Sequence, residues 1–188
     1  MHENLDTLSR EHSLQLWAPV AVFFDQWTRW GLGGGTIQLD TMRASVDVFR
    51  KSFQPIFQLG AVLLAEIEAG SGEVRGSLAR IEELVPEIDR TGQRWFLAET
   101  HRALGEHLRL CDAPDAAEAA FKRAIETARA QGTKLFELRS SSSLARLWCD
   151  QGKRAEAHDL LAAVYGWFAG GLDTPDLKEA KALLEELA

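Results

Sequence analysis

Cysteine is nearly missing from this chain of 188 residues, with only Cys111 and Cys149 present. Neither lies in a CxxC pair, and two cysteines are too few for a disulfide scaffold or zinc finger, so both read as reduced core thiols. Long apolar runs are also missing. The run Trp17 to Phe24 is eight residues, contains Pro19 and is far short of a bilayer span. The opening Met-His-Glu-Asn-Leu-Asp has neither the basic region nor the apolar stretch of a signal peptide. A cytoplasmic chain with no membrane partner is the expectation. Positive charge is in short supply, with 21 Lys and Arg against 28 Asp and Glu and a formal charge of −7. No nucleic-acid partner is expected of such a balance. Alternation of apolar and polar residues, the mark of strands, is almost absent.

What the chain does have is 46% hydrophobic and 26% charged residues, enough to bury a core. Apolar positions recur at three and four nearly throughout. They predict nine helices, near 8–31, 36–52, 55–69, 73–91, 94–111, 114–131, 134–151, 153–169 and 175–187. Gly132 and Gly152 suit the left-handed residue that closes a helix. Pro114 and Pro175 suit first turns, with Asp112 and Thr174 as candidate caps. Pro86 falls inside a periodic segment and predicts a kink or split there. The small side chains of Ser140 to Ser143 would let two helices approach closely.

Self-comparison exposes a repeat. Thr91-Gly92-Gln93-Arg94-Trp95-Phe96 returns forty residues later as Gln131-Gly132-Thr133-Lys134-Leu135-Phe136. Leu104-Gly105 returns as Leu144-Ala145, Leu108 as Trp148, Ala117 as Ala157, Phe121 as Leu161 and Ala124 as Val164. Weaker copies are placed upstream on Leu59-Gly60, Leu63 and Gly76, and on Gln38 and Met42. A small residue on each first helix would then face one on the second. The large residue a turn later would fill the space beside that crossing, and each hairpin would need the next to cover its apolar face.

The Leu-Gly pair, the apolar residue three or four beyond it and the spacing of Ala117, Phe121 and Ala124 resemble the tetratricopeptide repeat (TPR). The match is good over 98–131, fair over 138–171 and loose upstream. The period departs from that family's 34 residues, and its junction prolines are absent. The resemblance implies an all-α, superhelical solenoid of antiparallel hairpins. We expect one domain over 1–188, with hairpins near 8–52, 55–91, 94–131 and 134–169 and a capping helix at 175–187. Trp95-Phe96-Leu97-Ala98-Glu99, Glu118-Ala119-Ala120-Phe121 and Ser143-Leu144-Ala145-Arg146-Leu147-Trp148 carry a narrower likeness. So do Asp150-Gln151-Gly152, Val164-Tyr165-Gly166-Trp167-Phe168 and Asp173-Thr174-Pro175-Asp176-Leu177-Lys178-Glu179-Ala180. These resemble the C-terminal TPR region of bacterial multidomain regulators that join a class III adenylate/guanylate-cyclase-like or DNA-binding domain to a STAND-type ATPase. No cyclase or ATPase segment lies within these residues, so those activities do not transfer.

Chemistry-bearing motifs are lacking. Gly31-Leu32-Gly33-Gly34-Gly35-Thr36 has no lysine and no preceding strand, and reads as an inter-helix loop rather than a phosphate cradle. His101 and His107 fall on opposite sides of one helix, the first toward a partner helix and the second toward solvent, so no metal site is expected. No catalytic residue and no cofactor is assigned. The expectation is a non-enzymatic protein-interaction module serving as a scaffold or sensor arm in bacterial signalling. The alternatives are a small-ligand-sensing helical domain, or a regulator fragment acting only in cis.

In such a fold the first helices line the binding face. Their inward positions are Val20, Phe23, Trp27 and Trp30; Gln54, Phe57, Ala61 and Leu64; Glu99, Arg102, Glu106 and Arg109; and Arg139, Ser142 and Arg146. A peptide groove is therefore expected at Trp27, Phe57, Arg102, Arg109, Arg139 and Arg146, suited to a partner with an acidic segment. Glu99, Arg102 and Glu106 could equally pair among themselves. The Lys and Asn residues of the TPR clamp for chaperone tails are absent from these positions. Trp17, Phe23, Phe24 and Trp30, with Leu14 and Val20, form an N-terminal aromatic face suited to self-association as a homodimer.

Overall fold

The computed structural model describes residues 17–33, 36–52, 54–168 and 174–188. Among them are nine α-helices and no strand: α1 (Ala18–Gly31), α2 (Leu39–Ser52), α3 (Gln54–Gly70), α4 (Val74–Thr91), α5 (Leu97–Leu110), α6 (Pro114–Gln131), α7 (Lys134–Asp150), α8 (Arg154–Tyr165) and α9 (Pro175–Leu187). A turn of 3₁₀ helix, Arg94–Phe96, leads into α5. The part of the first expected helix before residue 17, and Leu14 of the aromatic face, lie outside the described residues. The chain divides into two compact units, residues 1–93 and 94–188.

In the second unit α5 packs on α6, α6 on α7 and α7 on α8, while α5 also touches α7. Helix α9 lies on α7 and α8. The small residues stand where the crossings need them: Ala117, Ala145 and Ala157 are fully buried. A Cβ built on Gly105 would come within 2.4 Å of Phe121 Cε1, so the Phe121 ring occupies the space a side chain would take. Ala157, Leu161 and Val164 repeat the arrangement and share a core with Leu177, Ala180, Leu183 and Leu187 of α9.

The turns carry the same period in backbone form. Left-handed residues recur at forty-residue spacing at Gly72, Asp112 and Gly152 inside hairpins and at Gly92 and Gly132 between them, with a further one at Gly33 after α1. After each of the first three, an amide reaches back five residues to a helix carbonyl: Glu73 to Glu68 (2.8 Å), Ala113 to Leu108 (3.0 Å) and Lys153 to Trp148 (2.8 Å). These are Schellman closures, which satisfy carbonyls the helix end would otherwise leave open. Asp112 is thus the left-handed residue itself rather than a cap, and Ala113 takes the cap position of α6. Thr174 does cap α9, accepting from the Leu177 amide at 3.4 Å.

In the first unit, α3 and α4 keep the forty-residue register, one to five residues away from the expected glycines. Gly76 is exposed, with nothing near its missing side chain. Ser77 is the buried small residue, forty before Ala117, and Ile81 is the large one, forty before Phe121. Likewise Ala65, not Gly60, stands forty before Gly105, and it is fully buried. Gly60 belongs to a different row with Thr100, Ser140 and Ala180, each forty apart and each buried. A Cβ on Gly60 would meet Phe49 of the preceding helix at 2.8 Å. Gln38, just before α2, is exposed, whereas Met42 is fully buried. Ser45 and Phe49 of α2 are buried too, but they stand 32 residues before Ser77 and Ile81, so the forty-residue offset does not reach α2. Pro86 does not split α4, which is continuous through it. The proline is exposed, so water can satisfy the Glu82 carbonyl that loses its amide partner. His107, expected in solvent, is buried and its Nδ1 lies 2.7 Å from the Ala103 carbonyl.

Candidate interaction site

In the second unit, α5, α7 and α9 together line a cleft of about 240 Å³. Arg102 and Glu106 come from α5, Arg139, Ser142, Ser143 and Arg146 from α7, and Asp176 and Glu179 from α9. The repeat explains the convergence. Glu99, Arg139 and Glu179 are forty apart, as are Glu106 and Arg146, so equivalent positions on neighbouring first helices alternate in sign.

The pairing follows that alternation. Arg139 reaches Glu99 at 3.0 Å and Asp176 at 3.3 Å. Arg146 pairs with Glu179. Arg102 holds Glu99 through Nε (2.8 Å) and Nη2 (2.6 Å). Glu106 accepts from Ser143 Oγ at 2.6 Å and from Arg109 Nε at 3.2 Å. Glu99 is the buried hub of this network, and two guanidinium groups offset the cost of taking its charge out of water. Arg139 and Arg146 keep about a third of their side-chain surface, 36% each, in solvent.

The residues named from sequence divide accordingly. Arg102, Arg139 and Arg146 meet in the cleft together with Glu106 and Ser142. Arg109 sits at its edge, exposed and paired with Glu106. The structure adds Ser143, from the serine run, and Asp176 and Glu179, from the capping helix. Carrying the forty-residue offset one step past Arg139 would have found Glu179.

The apolar part of the expected groove is corrected. Phe57 is buried and carries the Arg50 guanidinium 4.9 Å from its ring centre, and Ala61 and Leu64 are core residues. These side chains fill the space between α3 and its neighbours, so they are not presented to a peptide. Side chain 54 lies outside those described. Phe23, assigned to the self-association face, is also buried, edge-on to Phe24 and Phe49 with ring centres 5.5 Å away in each case. Phe24 and Val20 are half-buried, while Trp17, Trp27 and Trp30 are exposed. The Trp30 ring lies over Gly70, where a Cβ would stand 3.2 Å from it.

The first unit holds its own buried carboxylate. Glu68 is bracketed by Arg80 (Nε 3.0 Å, Nη2 2.9 Å) and by Arg43 Nε at 2.8 Å. Arg43 also pairs with Asp40 and Glu73. Burial pushes the Glu68 carboxyl up, but the bonds from Arg80 and Arg43 outweigh it and hold it below the usual carboxylate value. In the second unit, burial pushes Glu137 up and its bonds to Arg129 and Lys134 bring it below. Among the described residues, no group of three His, Cys, Asp or Glu is placed to hold a metal ion, and no helix is long and apolar enough to cross a membrane. Cys111 and Cys149 are free and half-buried.

Comparison with solved structures fits the helix order. A kinesin light chain-like protein of Podosopora anserina with nearly identical TPR-like repeats aligns over 99% of this chain and 82% of its own, with TM-score 0.60 and 17% identity. A single-substitution variant of that protein gives TM-score 0.61 at the same identity and coverage. The fold is therefore TPR-like. At such identity the likeness extends to architecture and no further. No family profile matches the chain, and no curated protein does.

Proposed function

We propose that this chain is a non-enzymatic protein-interaction module that docks a polypeptide segment in the cleft over α5, α7 and α9. The observation that carries the reading is the convergence of Arg102, Arg139 and Arg146 from two neighbouring helices on one open cleft. Planar guanidinium forks suit a partner's carboxylates, which can exchange with those of the chain. An acidic segment on the partner fits this best. The cleft is smaller than the 300–1,000 Å³ typical of small-molecule pockets and is lined by charge rather than apolar groups, which favours a protein partner over a metabolite. The residues shared with bacterial multidomain regulators support a cytoplasmic scaffold or sensor arm in signalling. A second surface is favoured by the exposure of Trp17, Trp27 and Trp30 with half-buried Phe24, which suits self-association through the first unit.

The test is a photo-crosslinking residue placed at the exposed Arg109, with Glu126 on α6 as a surface control. Crosslinked partners should disappear when Arg139 and Arg146 are replaced by Glu while the helical circular dichroism is kept. Equal capture by the charge-reversed chain would overturn the docking cleft. A small metabolite that raises the melting temperature, with nothing crosslinked, would favour the sensing alternative.

A further inference from the structure

The cleft already holds a segment with the chemistry just assigned to a partner. Helix α9 buries Leu177, Ala180, Leu183 and Leu187 against α7 and α8. Its carboxylates sit on the arginine row, Asp176 on Arg139 at 3.3 Å and Glu179 on Arg146. The Arg154 guanidinium donates to the Glu186 carbonyl near the end of the helix. These contacts are made by one face of an amphipathic helix, and none of them depends on α9 belonging to the same chain. This face lies at the edge of the core. Leu177, Leu183 and Leu187 keep a small exposed edge, whereas Ala157 and Leu161 beneath them keep none.

From this we infer that the face of α7 and α8 is a receptor for an acidic amphipathic helix, that α9 is its resident occupant, and that a partner protein binds by supplying such a helix in place of α9. The inference rests on the docking reading above and names the partner's chemistry. Counting from Asp176, the docked face presents carboxylates at the first and fourth positions, leucines at the second, eighth, ninth and twelfth, and alanine at the fifth, with Glu185 and Glu186 exposed. The apolar positions supply most of the affinity, as in helix-in-groove recognition. The carboxylates select orientation and partner, because a like charge facing Arg139 or Arg146 is rejected. Tethering keeps α9 at roughly millimolar effective concentration. The intact chain therefore answers only to a helix that binds well or is locally abundant.

The experiment uses the full chain and a fluorescent peptide of residues 174–188. In a chain carrying Asp176→Lys and Glu179→Lys, hydrogen exchange should show α9 losing protection. That chain should bind the peptide at least tenfold more tightly than the unaltered chain does. A peptide with the same two lysines should not bind it. Arg139→Glu and Arg146→Glu in a chain that keeps Asp176 and Glu179 should likewise release α9 and reverse the preference in favour of the lysine peptide, whereas combining all four changes should restore the protection of α9. Leu183→Ala, which loosens α9 without touching charge, should also expose the receptor to the unaltered peptide. Equal binding of both peptides, no binding to any loosened chain, or an α9 that stays protected in all of them would each overturn the inference. Arg139- and Arg146-dependent capture of a partner over a fully protected α9 would sink the exchange while leaving the docking cleft standing.

Discussion

The two units solve one packing problem with different residues. In the second, the crossing of α5 and α6 is made by Gly105 and Ala117 with Phe121 filling the gap, and the next hairpin uses Ala145, Ala157 and Leu161. In the first, the equivalent residues of α3 and α4 are Ala65, Ser77 and Ile81, and the aromatic filler has moved to Phe49 of the preceding helix, pressed on Gly60. The first unit also buries Glu68 between two arginines where the second has Leu108, an apolar residue forty later. The period thus constrains side-chain volume and backbone turn more tightly than residue type. A self-comparison that looks for identical letters sees the second unit and mislays the first.

The largest effect separates the units by their fillers. Phe121→Ala should cost about 3–5 kcal/mol, because a fully buried ring would leave a cavity beside Gly105 that no neighbour can fill. Phe49→Ala should cost as much, in the other unit. Urea titration followed by peptide-resolved hydrogen exchange assigns each loss to residues 1–93 or 94–188. A Phe121 variant that destabilised both units equally would break the division.

Next comes the carboxylate that the first unit buries at the position where the second has Leu108. Glu68→Gln should cost about 3 kcal/mol, at the low end for removing one partner of a buried ion pair, because Arg43 and Arg80 are partly exposed and can turn to water. It should also change the response to acid. The carboxyl is depressed in the folded state, so its contribution is complete above the ordinary carboxylate range and is lost as pH falls through the lower folded value. Glu137 acts in the same direction in the second unit, more weakly because Arg129 and Lys134 are more exposed. Stability against pH, read separately for the two units, should flatten in the first unit of the Glu68 variant and stay sloped in the second. An unchanged acid limb in residues 1–93 would remove Glu68 from the account.

Helix number, the hairpin order and the rows at 105, 117, 145 and 157 were legible because apolar period and small residues report directly on packing. The register of the first unit was not. Gly60 and Gly76 attract attention as glycines, yet the conserved volume lies at Ala65 and Ser77, five and one residues away. Pro86 shows the limit of a local rule, since an exposed proline needs only water to replace its lost bond. At the cleft, Arg102, Arg139 and Arg146 could be named from helix phase, as could Glu99 and Glu106, but not the α9 carboxylates Asp176 and Glu179 that face them. That required knowing that α9 continues the first-helix register, which no motif in its own sequence announces. Burial of Phe23, Phe57 and His107 was misjudged because one helix's phase cannot say how many neighbours cover it.

A smaller effect measures how tightly each unit closes. Gly105→Ala should cost about 1–3 kcal/mol, since the new methyl would meet three atoms of the Phe121 ring within 2.9 Å. Gly60→Ala meets only one ring atom of Phe49 inside 3.0 Å and should cost less. Pairing Gly105→Ala with Phe121→Leu should recover part of the loss, and the double-mutant cycle measures the coupling. If the two alanine variants reversed in order, the second unit would not be the tighter crossing.

The smallest effect concerns the three hairpin turns at positions 72, 112 and 152, two of them glycine and one aspartate, with φ of 95°, 57° and 79°. A side chain in that region costs roughly 1–2 kcal/mol, less for Asp than for most residues, whereas glycine adopts it freely but loses more entropy on folding, by roughly 0.5–1 kcal/mol. The two nearly cancel at Asp112, so Asp112→Gly should stabilise the second unit by less than about 1 kcal/mol. Gly72→Ala and Gly152→Ala should each destabilise, by about 1 kcal/mol, because alanine brings the steric cost without aspartate's tolerance of the left-handed region. The urea midpoint with an unchanged slope is the readout. Loss of stability in Asp112→Gly would mean that the carboxylate itself holds that turn. The turns would then share a shape without sharing a cause, and the forty-residue period would be weaker at the backbone than at the core.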